Sequence, residues 1–162
     1  MIKKETKKFN SYFFFILILT ILSLSRIFVE AYKNIISKSF PGRSGVLTKG
    51  LQPIWDKMML MNQINSYLGF ILSIIALVCF LNFIFYLGTK NDANIKKTSL
   101  LTISYLILMF IVGTITHYTN LVSYGNTLLL LGKSISFTLL IVIIGIVREV
   151  FMKIKKGLFQ NK

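Results

Sequence analysis

The sequence predicts an all-α membrane protein: an antiparallel bundle of four transmembrane helices with a long first extracytoplasmic loop. Three observations carry that reading. The 162 residues are 54% hydrophobic and only 15% charged, whereas a soluble domain carries roughly a quarter charged residues. Four long apolar runs are almost free of charge. The basic residues that give a net charge of +14 collect at the ends of those runs, where they act as topology signals. In a soluble chain the same charge would point to nucleic acid; placed beside apolar runs it points to a membrane surface, and nucleic acid is set aside as a partner.

The first helix is predicted over about 9–29. Lys3, Lys4, Lys7 and Lys8 precede it, no charge falls between Phe9 and Ser25, and the apolar pattern resumes after Arg26. Such a helix rises about 30 Å, one hydrocarbon thickness. A rival reading is a secretory leader, since Ser23 and Ser25 are placed like a cleavage motif. The apolar pattern running past that point favours a span.

Between the first two runs, Ala31 to Ser66 holds both prolines (Pro41 and Pro53), the only tryptophan (Trp55) and three of the ten glycines. Pro41-Gly42 and Gly45 predict an irregular turn. From Thr48 onward the pattern changes. Pro53 suits a first helical turn, and Leu51, Ile54, Trp55, Met58 and Met61 recur at helical spacing. Continued into the second run, this helix would extend from Pro53 to Gly88, roughly 50 Å. Its first turns must then project from the bilayer or lie on it. Trp55 suits headgroup level as an interfacial anchor; with Met59 it also suits an adaptable, methionine-rich binding surface.

The second span is predicted over 67–88, the third over 100–116 and the fourth over 128–150. The fourth contains Lys133 and Arg148, too close together for the uncharged part to cross alone, so Lys133 must lie in the helix and reach to an interface. Gly69 and Ser73 form a small-xxx-small pair on the second span, and Gly132 and Ser136 another on the fourth, where helices can approach closely. Thr20, Ser23 and Gly113 can serve likewise. Twelve Lys and Arg flank the N-terminus, the second connection and the C-terminal tail. Five lie in the long first connection and none from His117 to Thr127. This distribution puts both termini in the cytoplasm.

No catalytic constellation is visible. The five acids (Glu5, Glu30, Asp56, Asp92, Glu149) avoid the middle of every run, which argues against a proton-driven carrier. His117, the sole histidine, has neither a second histidine nor a cysteine beside it for a metal, and no spacing supports a hydrolytic triad. Cys79 reads as a packing residue. Gly132-Lys133-Ser134 mimics the end of a phosphate loop, but the glycine required five residues earlier is Thr127. No enzyme, metal or cofactor is expected. Arg26, Glu30 and Lys133 remain near the outer interface; Arg26 and Glu30, four apart, can pair with each other, snorkel to headgroups or meet charges on a partner.

Leu47-Thr48, Pro53-Ile54, Lys57 and Met59 before the second span, with Asn120-Leu121 after the third, resemble the inner-membrane immunity proteins of pore-forming colicins of the colicin A and B type. After the Asn-Leu pair the chain reads Val122-Ser123-Tyr124-Gly125, where that family has Thr-Thr-Ala-Gly. The resemblance implies four membrane helices, cytoplasmic termini, a long outer loop and residence in the bacterial inner membrane. It also implies a partner, the hydrophobic hairpin of a toxin's pore-forming domain, held so that the channel does not open. The partner-binding residues expected on this reading are Arg26, Glu30, Thr48, Pro53, Trp55, Lys57, Met59, Gly69, Ser73 and Lys133. The alternatives are an accessory subunit of a transporter or secretion complex and, behind it, a small channel or carrier in its own right.

Overall fold

The computed structural model describes residues 2–38, 52–88 and 92–160, with side chains placed over 12–38, 52–88 and 92–155. All described residues outside one tight turn are helical: α1 (Ile2–Lys38), α2 (Gln52–Gly88), α3 (Asp92–Tyr118) and α4 (Tyr124–Gln160). Each is long and apolar enough to cross a membrane.

Every helix extends beyond the apolar run that predicts it. α1 does not stop near Val29 but continues for nine residues, because Glu30, Lys33 and Asn34 find partners on α2 and on the α3–α4 turn. α2 runs unbroken for 37 residues, about 55 Å, as the helical spacing after Pro53 leads one to expect. Asp92 opens α3 with a negative charge at the positive end of its dipole.

The turn between α3 and α4 is built from two local signals. Asn120 has φ 54°; its N–H donates to the His117 carbonyl at 2.9 Å and the Leu121 N–H to the Thr116 carbonyl at 2.9 Å. These two bonds form a Schellman stop with asparagine in the left-handed position. Ser123 then caps α4, its Oγ accepting the Asn126 N–H at 3.2 Å.

Around the bundle the strongly packed neighbours are α1–α2, α2–α4, α3–α4 and α1–α3, and the diagonal pairs touch least. Tyr12 near the start of α1 meets Tyr86 near the end of α2, while Lys33 meets Asn62 near the start of α2. Asp92 at the start of α3 meets Arg148 late in α4. The interior residues recur at alternating three- and four-residue steps: Leu72, Ala76, Cys79, Phe83 and Tyr86 on α2, and Leu131, Ser134, Thr138 and Ile141 on α4. That spacing is the seam of left-handed helix packing. Phe28, Phe70, Phe110 and Leu129 point away from the bundle, the arrangement lipid permits.

The interior is also polar. Tyr12 Oη and Thr102 Oγ1 lie 2.7 Å apart. Tyr105 Oη lies 2.9 Å from Ser23 Oγ and 3.3 Å from Ser134 Oγ, tying α1, α3 and α4 together at one level. Ser23, one of the two residues that suggested a cleavage motif, is fully buried here.

Candidate functional site

Arg26, Glu30 and Lys33 of α1 gather beside the start of the apolar part of α2, with Arg26 reaching α4. Arg26 does not snorkel. Its Nε donates to Asn65 Oδ1 at 3.0 Å and its Nη1 donates to the Leu130 carbonyl on α4. Its guanidinium covers Gly69 so closely that a Cβ there would sit 2.8 Å from it. The small residue at 69 thus makes room for a side chain rather than for a helix backbone. Ser73, its expected companion, bonds back to the Gly69 carbonyl at 2.8 Å within α2.

Glu30 is buried, which requires partners. Asn65 Nδ2 donates to Glu30 Oε2 at 3.2 Å, and Lys33 Nζ lies 2.7 Å from Oε1. Lys33 also donates to Asn62 Oδ1 at 3.2 Å. The direct Arg26–Glu30 pair suggested by their spacing is replaced by a relay: Asn65, itself buried, accepts from Arg26 and donates to Glu30. An amide with both a donor and an acceptor is suited to stand between a cation and an anion. Two cations surround one carboxylate, so the cluster keeps a positive surplus.

Beyond the cluster, α1 and α2 continue side by side. Asn34 Nδ2 donates to the Leu121 carbonyl at 2.7 Å, and Lys38 Nζ to the Asn120 carbonyl at 2.5 Å. The extension of α1 is thereby fastened to the α3–α4 turn, next to the exposed His117, whose ring lies 4.2 Å from that of Tyr124.

The first turns of α2 divide differently from their sequence pattern. Ile54, Met58 and Met61 are half-buried, whereas Pro53, Trp55, Lys57 and Met59 are exposed. Trp55, 45% exposed, belongs with Met59 and Leu60 on the outward face. Thr48 and Leu51 lie outside the described residues. Lys133 is exposed on α4 and does not join the Arg26 cluster. Gly132 meets nothing within 4 Å of where its Cβ would be, and Ser136 is exposed. This second small pair is therefore unused inside the bundle.

Comparison with protein-family models, with curated proteins and with solved structures finds no match. No group of three or more His, Cys, Asp or Glu able to hold a metal occurs among the described residues.

Several residues escape a reading based on apolar runs. Asn65 lies just ahead of the second run, and its role appears only when Arg26 and Glu30 are placed beside it. The seam of Ser23, Thr98, Thr102, Tyr105, Ser134 and Thr138 carries a usable signal on α3 and α4, hydroxyls at three- and four-residue steps within apolar helices. Gly145 is the tightest helix approach, with Ser99 Oγ 2.5 Å from where a Cβ would stand; it has no small partner four residues away to announce it.

Proposed function

We propose that this chain is a bacterial inner-membrane immunity protein that binds a pore-forming, colicin-type toxin in the bilayer and holds its channel closed. In this reading the helices alternate in direction. Both termini are cytoplasmic, and the extended ends of α1 and α2 face the side from which the toxin arrives. The observation that carries it is the combination at that end: half-buried Arg26 and Lys33 held by buried Asn65 and Glu30, together with exposed Trp55, Met59 and Leu60 on the first turns of α2. A buried carboxylate is costly unless it is paired, and here its partners fix two cations beside the outer end of the apolar part of α2. An exposed aromatic–methionine face is adaptable enough to receive an apolar partner.

Blocking requires only that the chain prefer the closed toxin, since a ligand with equal affinity for both states shifts nothing. The open Gly132–Ser136 strip lets a partner helix approach α4 closely within the bilayer. The same strip fits the alternative, an accessory subunit docked in a larger membrane complex. The two readings part in one experiment: expression in sensitive bacteria challenged with a panel of pore-forming colicins. Survival against one member supports immunity. Killing by all of them, with membrane insertion verified, and stable co-purification with a large complex supports the subunit.

A further inference from the structure

At the opposite end of the bundle, a groove of about 510 Å³ follows the α3–α4 seam on either side of the close Ser99–Gly145 contact, a volume typical of small-molecule sites. Its lining between the charges is apolar, with half-buried Ile103 and Val142 and the exposed Leu100 and Ile146 at its edges. Its rim is charged. Asp92 pairs with Arg148 at 2.5 Å and Glu149 with Lys96 at 3.0 Å. Lys153, exposed on the same rim, lies outside contact distance of any acid among the described residues and acts on Glu149, one turn earlier, only through space. Three cations against two carboxylates leave one positive charge over. At the bottom, Ser99 Oγ is the one buried side-chain polar atom without a hydrogen-bond partner among the described residues, although a hydroxyl has both a donor and acceptor positions to fill.

We propose that this groove holds one anionic phospholipid. The phosphate lies at Lys153, and one acyl chain lies along Leu100, Ile103 and Ile146. Each feature answers a part of that molecule. A single uncompensated cation matches one phosphodiester, the apolar lining matches the chain, and rotation of Ser99 about χ1 gives its hydroxyl an ester carbonyl to bond. Basic pockets between transmembrane helices receive anionic headgroups in this way. The inference is independent of toxin binding and uses the proposed orientation only to assign the lipid to the cytoplasmic leaflet.

The test uses the full chain with Trp55→Phe and Leu100→Trp, placing the sole tryptophan on the groove. It is reconstituted in phosphatidylcholine vesicles containing brominated phosphatidylglycerol, phosphatidylethanolamine or phosphatidylcholine as quencher. Phosphatidylglycerol is expected to quench at about a fivefold lower mole fraction than the other two, and Lys153→Glu to abolish the difference. A reference chain with Trp55→Phe and Phe110→Trp, on α3 but away from the groove, is expected to show no effect of Lys153→Glu. Equal quenching by all three lipids, preference for phosphatidylethanolamine, or the same Lys153 dependence at both tryptophans would overturn the proposal.

Discussion

Arg26, Asn65 and Gly69 show how far three residues determine one another. The guanidinium fills the space that the missing Cβ leaves at Gly69, and Asn65 and the Leu130 carbonyl absorb its donors. Gly69→Ala is expected to lower stability in detergent by about 1–3 kcal/mol, because the guanidinium must move from its partners. In an Arg26→Ala background the same substitution should be close to neutral. Unfolding of the four chains of this cycle measures the coupling, and additive effects would show that the two residues do not meet. Cys79 is fully buried, so a maleimide is expected to leave it unmodified in the folded protein and to react fully after denaturation in SDS. At this scale the sequence was only half legible. The i,i+4 spacing of Arg26 and Glu30 marks them as a unit, but which side chain stands between them depends on α2, 35 residues away.

Element boundaries follow two kinds of signal, and only one is visible in hydropathy. The apolar runs locate all four helices, and the spacing after Pro53 reveals the outward continuation of α2. The extension of α1 past Val29 is less visible, since its polar residues are helical through contacts with other elements. The inward faces are hidden for another reason. Lipid-facing positions are as apolar as the core, so amphipathicity fades and the signal passes to small and hydroxyl residues at three- and four-residue steps. The Asn120-Leu121 pair that resembles the colicin immunity family has a local role here, as the stop of α3. Asn120→Ala is expected to cost about 1 kcal/mol and Asn120→Gly much less, because only the former forces a Cβ into the left-handed region without a compensating polar group. Thermal unfolding in detergent distinguishes the two, and equal losses would contradict the Schellman stop.

On the proposed function the whole molecule works by contact: four helices long and apolar enough to cross a membrane carry the Arg26–Asn65–Glu30 cluster at one end and a charged groove at the other. Reporter fusions after Lys153 and after Lys8 are expected to read cytoplasmic, and a fusion in the 39–51 connection to read periplasmic. A periplasmic tail would place the Arg26 cluster on the wrong side for an arriving toxin. The most direct measurement is potassium efflux from sensitive cells that express the chain and are treated with each colicin of the panel. For one colicin, efflux is expected to stay at the level of untreated cells while the toxin still binds the cell surface, as a channel held closed requires. Undiminished efflux with every colicin, from cells whose membranes contain the folded chain, would contradict the account.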